Sequence, residues 1–206
     1  MRRTNAHHAT LLSVLLLLTW SCAPAETQGQ ADPAWLQRWN EAEAARPATL
    51  TSSGRLAAEN EPGAPMLIRG QVVTPDGDPA AGIMVHAYHR DQEGFDFGPN
   101  DEALTTWRLQ GWALTDEQGR FEFRTIRPSP DHLGREGAHV HFTLVSDAFG
   151  RQWAPTVYLA DDPRVSAEQR RRSDEAAPYG GVQPVDLVDG VHQLDVQIRL
   201  KEDADF

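Results

Sequence analysis

The sequence predicts an all-β sandwich preceded by one short N-terminal helix, and three observations carry that prediction. From Met66 onward apolar and polar residues alternate with a period of two in short runs. Those runs are separated by turns rich in Pro, Gly and Asp, such as Pro75-Asp76-Gly77-Asp78-Pro79. Helix-like periodicity is nearly absent, and many short strands with frequent turns are the pattern of a sandwich or barrel.

Taken in order, the elements begin at Asp32-Pro33, an N-cap acid followed by a proline at the first helical position. A helix from there to about Ala45 places Trp35 and Trp39 on one face, and Arg46-Pro47 ends it. Residues 47–65 read as an extended lead-in. Leu67 to Val73 makes a first strand and Ile83 to Tyr88 a second. Trp112 to Thr115 then leads through Asp116-Glu117-Gln118-Gly119 into Phe121 to Ile126, which reads as a hairpin. Ala138 to Val145 and Thr156 to Leu159 are further strands. Ser166 to about Ala177 is a polar, helix-like surface excursion, and Leu194, Val196, Ile198 and Leu200 mark the last strand.

The 206 residues suffice for one domain with a hydrophobic core. Acidic residues outnumber basic ones by 30 to 19, and Lys201 is the only lysine, so the surface repels nucleic acid and anionic lipid. The start of the chain reads as an export signal. Arg2 and Arg3 precede an apolar run, Leu11 to Trp20, that is too short to span a bilayer well. Ala23-Pro24-Ala25 fits an ordinary cleavage site. Cys22, the only cysteine, instead follows Leu18-Thr19-Trp20-Ser21 as in a degenerate lipobox, which would make it a lipidated mature N-terminus. Loss of residues 1–21 removes Arg2 and Arg3 and no acid, taking the net charge from −11 to −13. The expected division is a signal over 1–22, a tether and helix over 23–62, and the sandwich over 63–206. The protein is expected to be periplasmic or membrane-anchored, or else secreted, and to meet a membrane only through that lipid. No internal disulfide is possible, so the core must suffice.

His139 and His141 stand two apart in a strand, so both imidazoles leave one face while Val140, Phe142 and Leu144 enter the core. Their Cα atoms lie about 7 Å apart, and two such side chains can converge on one metal ion. Taken alone, the pair is also what a polar strand face carries by chance. A cupin would need a glutamate shortly after the second histidine, where Leu144 and Val145 stand.

The surroundings resemble the intradiol ring-cleavage dioxygenases over about Gly63 to Leu200. Matching pieces run in the family's order: Gly63-Ala64-Pro65-Met66-Leu67-Ile68-Arg69-Gly70-Gln71-Val72, Asp76-Gly77-Asp78-Pro79-Ala80-Ala81-Gly82 and Thr115-Asp116-Glu117-Gln118-Gly119-Arg120-Phe121. These three are shared with transthyretin-like sandwiches. More specific are Thr125-Ile126-Arg127-Pro128-Ser129-Pro130 followed by Ala138-His139-Val140-His141-Phe142, and then Thr156-Val157-Tyr158-Leu159-Ala160-Asp161-Asp162-Pro163.

The resemblance implies a non-haem ferric iron that opens catechols with O2, held in the family by two histidines and two tyrosines. Here both histidines are present. Counting from Gly94, the first tyrosine position holds Asp96, and the second, after Pro130, holds Asp131. The resemblance thus implies a metal set of His139, His141, Asp131 and Asp96. Two imidazoles with carboxylates suit Fe(II), Mn(II) or Zn(II) as well as iron in the ferric state. Glu136 stands where the family has an arginine, with Arg135 one place earlier; Arg135 and Tyr158 are expected on the substrate side. Tyr88 takes the place of a family tryptophan. His132 is a substitute ligand if the loop register shifts, and His86, His89 and His192 read as structural. Two functions follow: an exported oxygenase acting on a small aromatic compound, or a non-catalytic sandwich that binds a glycan, peptide or envelope partner.

Overall fold

A computed structural model describes residues 31–98 and 104–206. The expectations for the leader and for Cys22 lie outside the described residues.

Two sheets face each other across one core. The first carries strands β1 (Ser53–Arg55), β5 (Arg120–Ile126), β2 (Pro65–Val73), β11 (Val191–Arg199) and β10 (Val185–Val188), in that spatial order. The second carries β4 (Leu109–Leu114), β3 (Met84–His89), β6 (His139–Ser146), β8 (Val157–Leu159) and β9 (Val182–Gln183), with β7 (Gly150–Trp153) paired to β6. Helices α1 (Pro33–Ala44) and α2 (Ala167–Glu175) complete the list among the described residues.

Period-two alternation sends Ile68, Val72, Phe121, Phe123, Leu194, Val196 and Ile198 from the first sheet into the core. Val85, Ala87, Val140, Phe142, Leu144, Val157 and Leu159 meet them from the second. Gly70 stands opposite Phe121 across β2 and β5. A Cβ there would lie 2.1 Å from the Phe121 ring, so glycine is what lets that ring lie flat on the strand.

The Trp112–Ile126 stretch is not the hairpin the turn residues suggested. β4 pairs with β3 in one sheet, while β5 pairs with β2 and β1 in the other. The turn itself is as expected, with Asp116 accepting from Gln118 N and Arg120 N. It serves as a corner between sheets, because Phe121 and Phe123 gain more by crossing to cover the core than by pairing locally. The lead-in expected over 47–65 contributes β1, paired parallel to β5.

Helix α1 is where its caps predict. Asp32 accepts from Ala34 N and Trp35 N at 2.9 Å, and Pro33 occupies the first turn. Its tryptophan face lies on the outer side of the second sheet. Trp39 is fully buried, donates to Thr143 Oγ1 at 3.0 Å and packs edge-on to Trp112. Phe206, the last residue, closes over Trp35, Trp39 and Trp153. An outer sheet face that would otherwise meet water is thereby covered.

Candidate metal centre and aromatic cavity

The covered face places functional side chains in two rows across three strands. Tyr88 of β3 pairs with His141 of β6, and His139 pairs with Tyr158 of β8. One register step past Tyr88 brings Arg90 beside His139. Thr156, just before β8, sits next to His141 with its Oγ1 3.3 Å from Nδ1.

The two imidazoles converge: His139 Nε2 lies 2.9 Å from His141 Nε2, with the rings nearly perpendicular. His139 Nδ1 is 2.7 Å from the Gly137 carbonyl, which can only accept, so Nδ1 carries the proton and Nε2 presents its lone pair. Burial pushes the His139 pKa down, with the nearby Arg90 charge adding to the effect. Close packing also pushes His141, which keeps some solvent access, down to about 3, helped by His139 and Arg90. Both imidazoles are therefore neutral at ordinary pH, with His141 Nε2–H donating to the His139 Nε2 lone pair; moving that proton to His141 Nδ1, beside Thr156 Oγ1, would free both Nε2 atoms for a metal. Two nitrogens 2.9 Å apart are what neighbouring donors at about 90° present to an ion roughly 2.0–2.1 Å from each. The pair fits a metal.

The carboxylates do not join it. Asp131 is buried and spent on its own loop, accepting from Leu133 N at 3.1 Å and from Arg135 Nε at 2.9 Å. The Arg135 guanidinium holds the Asp131 carboxyl down to about 2, and Arg135 is itself mostly exposed. Asp96 is nearer, but Arg90 Nε donates to it at 3.0 Å. Among the described residues no group of three or more His, Cys, Asp or Glu side chains could hold a metal. The physical reason lies in the loops. Gly94 has a positive φ, and a Cβ on it would sit 2.4 Å from the Pro130 carbonyl, so the loops bearing Asp96 and Asp131 press backbone to backbone. In that packing each carboxylate takes the arginine beside it. His132 stacks on Phe95 rather than turning to the pair.

Tyr158 flanks His139 at 5.0 Å between ring centroids, and burial raises its pKa. Tyr88 stacks on His141 at 4.8 Å and accepts from Trp35 Nε1 at 3.1 Å. Its phenol is also raised by burial, so neither tyrosine is a ready phenolate. His86 and His89 are structural as expected: His86 bonds Gln110 and Thr143, and His89 bonds the Arg90 carbonyl and Thr125.

Arg90 escaped the sequence reading. Its guanidinium bridges Asp96 and Glu136, at 3.0 and 2.9 Å. Glu136, which stands where the resemblance expects an arginine, is thus matched by an arginine arriving from β3. Position 90 shares strand parity with Tyr88, and that was the available signal.

Beside His141 opens a cavity of about 340 Å³, walled by Trp35, Tyr88, Phe97, Trp107 and Trp153. Arg38, Asp32 and Asp96 also line it. A larger hollow, about 920 Å³, lies by the first sheet among Arg69, Gln71, Glu122 and Asp195, with no histidine in its lining. Of these two, the smaller is the one in which aromatic walls meet an imidazole.

A family model described as "Dioxygenase" matches residues 41–175. The chain is similar to catechol 1,2-dioxygenase 1 of Acinetobacter lwoffii, 34% identical over 52% of this chain and 39% of that protein. It is also similar to chlorocatechol 1,2-dioxygenase of Pseudomonas sp. strain P51, 33% identical over 41% of this chain and 40% of that one. It spans well under half the length of those relatives. Among solved structures, 3-chlorocatechol 1,2-dioxygenase of Rhodococcus opacus 1CP superposes with a TM-score of 0.55 at 19% identity, over 71% of this chain and 64% of that one. The dioxygenase domain of a carbohydrate-binding fusion protein from Streptomyces sp. SirexAA-E gives 0.53 at 20% identity, over 73% and 86%. At these identities the superpositions speak for the fold.

Proposed function

We propose that this chain, which belongs to the intradiol ring-cleavage dioxygenase family, holds a metal ion at His139 and His141 and oxidises a small aromatic compound with O2 in the cavity beside them. The observation that carries the reading is the 2.9 Å approach of two neutral imidazoles, one of which, His141, lines an aromatic-walled cavity. Iron, the family's metal, would supply the electron exchange between the aromatic ring and dioxygen; another divalent metal suits the same two donors.

The chain's own residues do the rest. Gly137 O and Thr156 Oγ1 set the orientation of the two rings through their Nδ1 atoms. Tyr88 is stacked between Trp107 at 3.9 Å and His141 at 4.8 Å, and this fixed aromatic wall presents ring edges against which a planar ring can pack. Trp35, Trp153 and Phe206 keep bulk water off that wall. We place this chemistry outside the cytoplasm, on the strength of the leader over residues 1–21.

A second reading is a non-catalytic binding module, and the diversion of Asp96 and Asp131 to arginines favours it. Metal analysis of protein purified without chelator, followed by oxygen uptake with catechol, separates the two. His139→Ala and His141→Ala should each lose stoichiometric metal, and Thr156→Val should weaken binding about 10- to 100-fold by releasing the His141 ring. Unchanged metal content in the histidine variants would refute the site. Metal bound without oxygen uptake on any catechol would favour the module.

A further inference from the structure

Helix α1 contributes one charged side chain to the aromatic cavity that the proposed chemistry leaves unused. Arg38 lines the cavity together with His141, Trp35, Phe97 and Trp107. Its guanidinium carbon lies 4.3 Å from the centre of the Phe97 ring. Its Nε is buried and has no hydrogen-bond partner. No carboxylate among the described residues pairs with it, although the cavity rim holds two. Asp32 is spent as the helix N-cap, on Ala34 N and Trp35 N, and Asp96 is held by Arg90. Among the described residues the cavity therefore offers one guanidinium with no paired carboxylate at its helix side and a neutral imidazole at its sheet side, with aromatic walls between.

We infer that Arg38 makes this cavity selective for an aromatic acid, a planar ring bearing a carboxylate, over a neutral aromatic of the same size. The inference rests on the reading above, that the cavity takes a small aromatic ring. A half-buried guanidinium with no paired carboxylate among the described residues attracts an incoming carboxylate, whose two oxygens its planar N–H edge matches. Residue 38 also lies outside the stretch matched by the family model, which starts at residue 41.

The test compares benzoate with benzyl alcohol, similar in size and differing in charge, on the full chain as purified. Binding is followed through quenching of tryptophan fluorescence, since Trp35, Trp107 and Trp153 line the cavity. Benzoate should bind about tenfold or more tighter than benzyl alcohol, the size expected of a charge-assisted hydrogen bond. Arg38→Met, which keeps an apolar stem against Phe97, should erase that preference while leaving benzyl alcohol within about twofold. Arg38→Lys should keep most of it, and a fold defect would show as loss of both ligands in Arg38→Met but not in Arg38→Lys. Equal affinity for the two ligands in the native protein overturns the inference and leaves the aromatic cavity standing. So does a benzoate preference that survives in Arg38→Met, which would assign the anion to another group. Failure of both ligands to bind the native protein overturns the cavity reading and this inference with it.

Discussion

The two outer sheet faces of this sandwich begin from the same kind of sequence and end in opposite physical states. On β6 the outward residues are His139, His141 and Thr143; on β11 they are Gln193, Asp195 and Gln197. Both sets alternate with apolar core residues, and both are polar. The β11 face stays in water. Its Arg69–Asp195 pair, at 2.8 Å, has side chains 47% and 68% exposed. The β6 face lies under α1, Trp107 and Phe206, and there His86 and His139 are buried. Covering a polar face deprotonates its histidines, dries its hydrogen bonds and lines its hollow with aromatic rings; the open face keeps ordinary solvated charges around its larger hollow. The lesson is that a cover supplied by α1 and Phe206, not the strand pattern, sets this sheet face apart.

The cover can be broken at Trp39. It is fully buried between Thr143, Trp112 and Phe206, and Trp39→Ala should cost about 3–5 kcal/mol in urea unfolding. A loss below about 1 kcal/mol would mean that α1 is not what dries this face.

A pH series sharpens the same contrast through His86, on the covered face, with a smaller effect for that one ring; His89, on the core side of β3, titrates in the same window. Burial lowers His86 and His89 from 6.5 to about 4. As pH falls through 6.5 the unfolded chain takes up protons that the native state refuses until about 4. The stability these groups contribute is thus fully present above 6.5 and drains away between there and 4. Each residue accounts for about 3 kcal/mol at most. Urea midpoints measured from pH 8 to 4.5 should fall on the acid side, and His86→Gln should flatten the fall. A profile level down to about pH 5 would contradict the burial of these rings.

The smallest effect belongs to the open face. Asp195→Asn, which removes the ion pair to Arg69, should change stability by less than about 1 kcal/mol, since water and salt already screen it. A cost near that of Trp39→Ala would erase the distinction between the faces.

Much of the fold was legible because it rests on local rules. The cap at Asp32-Pro33, the Trp35–Trp39 face and the core-facing Val140, Phe142 and Leu144 all follow from backbone geometry within a few residues. The β4–β5 corner was misread because Asp116 to Gly119 forms the same turn whether or not the strands it joins share a sheet. Short strands such as β9 and β10 carry too few residues for a period to show.

In the site, the convergence of His139 and His141 was readable for the same local reason: residues two apart on a strand share a face whatever the fold. The partners of the loop carboxylates were not. Counting along the chain placed Asp96 and Asp131 at oxygen-donor positions, but a carboxylate takes the donor nearest in space. Arg90 for Asp96, and Arg135 with the loop amides for Asp131, are those donors. Arg38 and Arg90 gained their meaning in the same way, one from where α1 docks and the other from where β3 runs beside β6. Strand parity is a short-range consequence of the peptide backbone, so the sequence by itself determined which residues share a face. Only the tertiary structure decided which face is covered and which charge meets which: the cover joins residues far apart, such as Trp39 and Thr143, and the arginines near Asp96 and Asp131 in sequence meet them only because of how those loops pack.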